Sequence, residues 1–258
     1  MPAAFPISHR DSASRLLSPL DEIAVRAPDF LVRCANPFEI DGERYELPSY
    51  EVIGPESDHA PVRLAIFAGL HGDELEGTLA LIFFAQLLEA VPDLARGYSL
   101  LLYPLCNPTG YEDGTHLTRQ GFNLSEDFGR GSPIPEVSLL EGGCMSQSFD
   151  GIITLHSNGT ENTFVAGSPQ PDAAKRFVPP VLRAVEDFAV WGKIKPVLNP
   201  AGYHARNGKG SISAALSKRD TFELTLEAPN AAAAWLLSAL LAILKEKNKF
   251  NAFRTNLG

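Results

Sequence analysis

Apolar residues gather in short blocks from residue 62 onward in this 258-residue chain. Residues 62–68 form an apolar run bounded by Pro61 and Gly69. That pattern predicts a buried strand. Residues 74–91 come next as a predicted helix, ended by Pro92. Residues 99–105 predict the next strand, which Asn107-Pro108 stops. Later blocks predict a strand over 151–155, a helix over 173–189 interrupted early by Pro179 and Pro180, a strand over 221–226 and a last long helix over 231–247. Residues 106–150 are rich in Gly, Pro, Asn and Ser and show little periodicity. An irregular stretch of that length inside a compact protein usually carries function. Residues 1–60 hold more Pro and charge, with short apolar pieces at 30–32 and 45–47. They read as a lead-in with edge strands, part of the same domain as residues 61–258. Buried strands alternating with helices predict a single α/β domain whose sheet is covered on both faces.

Composition narrows the partners. Hydrophobic residues make up 45% of the chain and charged residues 21%, an ordinary globular balance that argues against disorder. The 22 Lys and Arg are outnumbered by 31 Asp and Glu, for a net charge of -9. An acidic chain without a basic run repels phosphate backbones, so no nucleic-acid partner is expected. The apolar stretches 79–88 and 231–244 fall short of the ~18 residues of a membrane span. They read as buried helices, and no membrane partner is expected. Residues 1–15 lack the apolar core of a secretory signal. Cys34, Cys106 and Cys144 are far apart, odd in number and form no CxxC pair. Such usage fits reduced thiols and an expected cytoplasmic location.

Ligands of open α/β sheets bind beyond the C-terminal ends of the strands, so the residues just after each predicted strand matter most. After 62–68 comes Gly69-Leu-His71-Gly-Asp-Glu74, with two metal-ligand types three residues apart at a strand-to-helix turn. After 151–155 comes His156, and after 221–226 comes Glu227. Three strands thus deliver an imidazole or a carboxylate at one end of the sheet. Two histidines and one glutamate form a known catalytic zinc set that leaves a position open for water. Each member has a plainer reading. An HxxE recurs by chance, a strand-end histidine is often a hydrogen-bonded structural residue, and Glu227 before Pro229 suits a helix dipole. It is their combination that points to a metal. Glu223, Thr225 and Glu227 are spaced by two and share one face of a strand. Glu223 therefore competes with Glu227 as an acid-base group, but it lies about 13 Å further from the strand end at ~3.3 Å per residue.

Over roughly residues 60–230, these segments in their order resemble the zinc carboxypeptidase superfamily, and within it the succinylglutamate desuccinylase/aspartoacylase-like branch. His71-Gly-Asp-Glu74 resembles the first two zinc ligands of that family, and Asn107-Pro108-Thr-Gly110 its Asn-Pro-x-Gly turn. His156, in Thr-Leu-His156-Ser, resembles the third ligand, and Leu-Thr-Leu-Glu227 the strand bearing the general base. The resemblance implies an about eight-stranded mixed sheet with helices on both faces. It implies one Zn2+ per chain, held by His71, Glu74 and His156, with Glu227 as general base and Arg119 polarising the scissile carbonyl. The implied activity is hydrolysis of a C–N amide bond in a small N-acyl amino acid, amine or short peptide.

The resemblance breaks in one place. Relatives commonly read Asp-Leu-Asn-Arg where this chain has Asn123-Leu-Ser125-Glu126. An Asn-Arg pair grips a carboxylate through planar, bidentate donors. Ser125 and Glu126 point instead to a substrate with a neutral or cationic group there. Thr154 stands where an acid often supports the third ligand from two residues before it. Tyr203, with His204 and Arg206 in a loop over 199–210, is a candidate to cover the site. His116, near Arg119, is a candidate substrate contact, although a surface histidine is the commoner reading. A competing reading is a weak or inactive metal-binding relative that holds a small ligand or peptide, for which the missing Asn-Arg pair speaks. A serine or cysteine hydrolase finds little support. No Gly-x-Ser-x-Gly elbow occurs, and Cys144 has no assignable base.

Overall fold

The computed structural model describes residues 10–129, 131–145, 147–157, 163–191, 197–199, 221–247 and 249–250. Helix α1 (Arg10–Arg26) is followed by β1 (Leu31–Cys34), the hairpin of β2 (Pro37–Ile40) and β3 (Glu43–Glu46), and β4 (Ser49–Ile53). Next come β5 (Val62–Phe67), α2 (Glu76–Ala90), β6 (Tyr98–Tyr103), α3 (Pro108–Asp113) and α4 (Pro135–Met145). The last described elements are β7 (Gly151–Ser157), β8 (Thr163–Gly167), α5 (Pro171–Trp191), β9 (Val197–Asn199), β10 (Phe222–Ala228) and α6 (Ala233–Lys245).

Eight strands form one mixed sheet in the order β1-β4-β6-β5-β7-β10-β8-β9, and β2 and β3 pair separately. The central strands β6, β5, β7 and β10 run parallel, so their C-terminal ends lie together. Strands β4 and β8 flank this block antiparallel. Side chains alternate between the two faces of each strand. Leu64, Ile66, Ile153, Leu155, Leu224 and Leu226 enter the larger core, with Leu81 and Phe84 of α2, Val181 of α5 and Leu236 and Leu240 of α6. Ala65, Phe67, Tyr103 and Ile152 enter a second core under Val137, Leu140 and Cys144 of α4. Each fully buried Leu or Phe contributes about 1.5–3 kcal/mol, and both faces of the parallel block are thereby covered, as parallel sheets require. From β5 the chain diverges: β6 lies on one side of it, reached through α2 on one face, and β7 on the other side, reached through α4 on the opposite face. Such a divergence opens a crevice at the strand ends.

Several elements differ from the sequence pattern. Helix α1 occupies a segment whose Pro and charge content predicts only a lead-in with edge strands. Leu17, Leu20 and Ile23 line its buried side, and Pro19 inside the helix obscures that stripe. Helix α4 emerges inside the irregular 106–150 stretch, where Val137, Leu140 and Cys144 recur at helical spacing and are buried. Helix α5 runs unbroken through Pro179 and Pro180. A proline cannot donate to the carbonyl four residues back. For Pro180 that carbonyl is Arg176, and the Lys249 ammonium donates to it instead at 3.3 Å. Strands β7 and β10 extend to Ser157 and Ala228, so His156 and Glu227 sit inside the strands rather than beyond them. Among the described residues, no helix is long and apolar enough to cross a membrane.

Candidate metal centre

The site begins with backbone contacts that only glycine permits. Gly69, just after β5, has φ +60, a left-handed conformation that favours glycine. The following His71-Gly-Asp-Glu74 segment lies backbone to backbone on the Asn107-Pro108-Thr-Gly110 turn. A Cβ at Gly72 would stand 2.1 Å from the Gly110 carbonyl carbon, and a Cβ at Gly110 would stand 2.4 Å from the Leu117 carbonyl oxygen. The turn itself is a helix start. Asn107 caps α3, its Oδ1 accepting from the Gly110 N–H at 2.8 Å, and Pro108 follows in the first turn, where its missing donor costs nothing. Gly77 lets α2 close on β7, since a Cβ there would stand 2.9 Å from Leu155 Cβ.

These contacts bring His71, Glu74 and His156 together. Glu74 Oε1 lies 2.7 Å from His71 Nδ1, and Oε2 lies 3.0 Å from His156 Nδ1. The Ser157 N–H donates to the same Oε2 at 3.1 Å. The rings of His71 and His156 are 5.1 Å apart between centroids. The three side chains are only 11%, 13% and 14% exposed, so water screens them little. Burial opposes ionisation of Glu74, but hydrogen bonds from His156 and His71 outweigh it and hold the carboxyl at about 2. An ionised carboxylate between two imidazole nitrogens is a hard and borderline donor set that fits a zinc ion. These are donor types that zinc sites use.

Glu227 stands beside this trio. In the parallel pairing of β7 with β10, Glu227 is opposite His156, Thr225 opposite Thr154 and Glu223 opposite Ile152. Residues opposite one another in a ladder point to the same face, so Glu227 shares the face of His156. Glu223 lies four residues nearer the start of the strand, beside Ile152. Thr154 donates to Thr225 Oγ1 at 3.1 Å, which ties the two strands below the site without supplying a charge.

The remaining predicted residues divide. Ser125 Oγ is 3.3 Å from His71 Nε2 and donates to Asn123 Oδ1 at 2.8 Å. Glu126 is exposed on the adjoining turn, where Asn123 Nδ2 donates to its Oε1 at 3.2 Å. Arg119 is turned to other partners. Its Nε and Nη2 donate to the two oxygens of Asp113 at 2.9 and 2.5 Å, and its Nη1 donates to Glu43 at 3.0 Å and to the Tyr45 hydroxyl. Tyr203, His204 and Arg206 lie outside the described residues.

The structure also places two residues whose sequence pattern suggests no part in a metal site. Glu76 spans the ends of β7 and β10, accepting from the Ser157 hydroxyl and from the Ala231 N–H, the latter at 2.8 Å. His116 stacks on His71, with ring centroids 3.7 Å apart and planes at 20°. One ligand atom from each of His71, Glu74 and His116 lies within 4.8 Å of the others. His116 and His156 thus compete for the third position. His156 is 14% exposed with Nδ1 on the Glu74 carboxylate, whereas His116 is 46% exposed with Nδ1 facing Asp73 at 3.3 Å. No motif singles out His116 in the sequence.

Solved metallo-carboxypeptidases share this architecture. The metallo-carboxypeptidase of Burkholderia cenocepacia superimposes with a TM-score of 0.71 at 17% identity, over 92% of this chain and 69% of that one. A provisionally assigned metallopeptidase of Shewanella amazonensis gives 0.67 at 22% identity, over 92% and 93% of the two chains. Bovine thrombin-activatable fibrinolysis inhibitor gives 0.69 at 14% identity, over 92% and 96%. At these identities the likeness is one of fold, a mixed α/β sheet of the zinc carboxypeptidase type. No protein-family model matches the chain, and no curated protein matches it.

Proposed function

We propose that the chain is a zinc-dependent hydrolase of a C–N amide bond, acting on a small N-acyl amino acid, amine or short peptide in the manner of the succinylglutamate desuccinylase/aspartoacylase-like branch. The observation that carries this reading is a single partly buried carboxylate, Glu74, holding His71 Nδ1 at 2.7 Å and His156 Nδ1 at 3.0 Å. The carboxypeptidase-type fold supports it, because the trio lies where ligands bind in such sheets.

His71, Glu74 and His156 are the residues that would hold one zinc. When bound, the ion lowers the pKa of a water toward about 7 and polarises the scissile carbonyl. Glu227 is the general base. Its backbone lies about one strand spacing, ~4.8 Å, from that of His156, with both side chains on the same face. It accepts the proton of the attacking water and passes it to the leaving nitrogen. Ser125, in reach of His71, contacts the substrate with a neutral hydroxyl. Together with the exposed Glu126 it favours a neutral or cationic group over a carboxylate. The proposed step leaves Arg119 with Asp113 and Glu43.

The test is metal analysis of the purified chain together with hydrolysis assays on a panel of N-acyl amino acids, amides and dipeptides. About one zinc per chain is expected, lost in His71→Ala, together with turnover that a chelator abolishes and added zinc restores. Absence of zinc from the wild-type chain overturns the site. Zinc bound without turnover of any panel member overturns the hydrolase and leaves the inactive metal-binding relative.

A further inference from the structure

We infer that a second pocket, separate from the metal centre, binds a free α-amino acid with an apolar side chain. The pocket is a cleft of about 330 Å³ lined by residues of α1, β1, β3 and α3, within the size range of small-molecule sites. Helix α3 stands between it and the metal-ligand segment. Pro108 and Glu112 are four residues apart and share the face of α3 that lines the cleft. Gly110, about 200° round the helix from Pro108, packs on Gly72 instead.

The lining divides by chemistry. Leu17, Leu105 and Pro108 supply buried apolar surface. Arg33 is already matched, its Nε donating to Asp21 at 2.7 Å and its Nη2 to Glu46 at 2.6 Å. The other two charged lining residues are opposite in sign. The Glu112 side chain is only 5% exposed, with Oε2 3.9 Å from Arg119 Nη2. That guanidinium also serves Asp113 at 2.5 Å and Glu43 at 3.0 Å, so one positive charge is shared by three carboxylates. A buried carboxylate is costly unless its charge is matched, and an ammonium in the cleft would redress the shortfall. Arg44 is exposed on β3, and its guanidinium has no partner among the described residues.

An α-amino acid answers all three parts of this lining. Its ammonium meets Glu112, its carboxylate takes the planar donors of Arg44, and its side chain covers Leu17, Leu105 and Pro108. A plain amine would leave Arg44 unused, and a plain carboxylic acid would bring negative charge toward Glu112. The inference stands apart from the zinc reading, since none of these residues belongs to the metal centre.

Isothermal titration of the purified full chain with L-leucine, repeated in the presence of a chelator, tests this. Saturable binding is expected and is the same in both conditions. Isoamylamine, which lacks the carboxylate, and isovalerate, which lacks the ammonium, should each bind at least about tenfold more weakly, the scale of a lost charged hydrogen bond. Arg44→Ala should weaken leucine about tenfold and leave isoamylamine unchanged. Ser14→Phe, at an exposed position of α1 on the cleft, should abolish leucine binding by filling the space. Absence of leucine binding to the wild-type chain overturns the inference. So does isoamylamine or isovalerate binding as tightly as leucine, since one charged contact would then be missing. Leucine binding that survives Ser14→Phe, or that the chelator removes, places the ligand elsewhere and also overturns it.

Discussion

Replacing Gly72 with alanine adds one methyl group where the metal-ligand segment crosses the Asn107-Pro108-Thr-Gly110 turn. The new Cβ would fall 2.1 Å from the Gly110 carbonyl carbon and 2.3 Å from the Tyr111 nitrogen, whereas ordinary contact begins at 3.4 Å. The two segments must therefore part by about 1.3 Å. Both clashing atoms are backbone, in a helix start capped by the buried Asn107, so no side chain can rotate out of the way. Metal–ligand distances tolerate only about 0.2 Å. A shift of that size beside His71 exceeds the tolerance several-fold. Overpacking costs about 1–3 kcal/mol, which at roughly 2–4 °C per kcal/mol for a chain of this length lowers Tm by about 2–12 °C. Zinc affinity is expected to fall by about 10–100-fold or more. Calorimetry of the metal-free protein and chelator competition measure the two effects separately. Gly142→Ala in α4 is the control, since a Cβ there meets nothing within 4 Å; it should stabilise by about 0.4–1 kcal/mol. A Gly72→Ala protein with wild-type Tm and zinc affinity would refute the reasoning, because the two segments would then not pack backbone to backbone.

Three further outcomes are expected. In the metal-free protein the Glu74 carboxyl sits at about 2, below its ordinary 4.5, so its stabilising contribution is complete above about pH 4.5 and is lost as pH falls toward 2. That contribution is at most about 3 kcal/mol; urea midpoints from pH 6 to 2 should fall more steeply for wild type than for Glu74→Gln, and equal slopes exclude the effect. Glu227→Gln should lower kcat by about 10²–10⁴ with zinc content unchanged, while Glu223→Gln changes it less than about tenfold; the reverse ranking in steady-state assays moves the base to Glu223. Pro179→Ala, at an exposed position of α5, returns a donor for the Lys175 carbonyl and should stabilise by up to about 3 kcal/mol; an unchanged Tm shows that the helix loses nothing there.

Much of the fold was legible because strand and helix periods are local. The runs behind β5, β6, β7 and β10 stand out between Pro, Gly and Asn, and each carries apolar residues on the face that the structure buries. The failures are local conflicts of signal. Pro19 hides the apolar stripe of α1, and Gly142 and Gly143 hide that of α4, although burial of Leu17, Leu20, Val137 and Leu140 decides both in favour of helix. Pro179 and Pro180 suggest a break in α5 that packing of Phe177, Val181 and Val185 overrides. Arg119 illustrates a different limit. Its loop resembles a catalytic position, and the carboxylates around its guanidinium come partly from distant chain, since Glu43, 76 residues away, supplies one of them.

The sequence by itself determined the α/β alternation, the two apolar faces and the residue types that arrive at the strand ends, since all three follow from spacings of two to four residues along the chain. Only the tertiary structure decided that Glu74 would hold His156 from 82 residues away, that Glu227 would stand opposite His156, and that His116 would stack on His71. Those meetings depend on the order of strands in the sheet and on the close approach of Gly72 to Gly110, which distant segments settle jointly and no single stretch encodes.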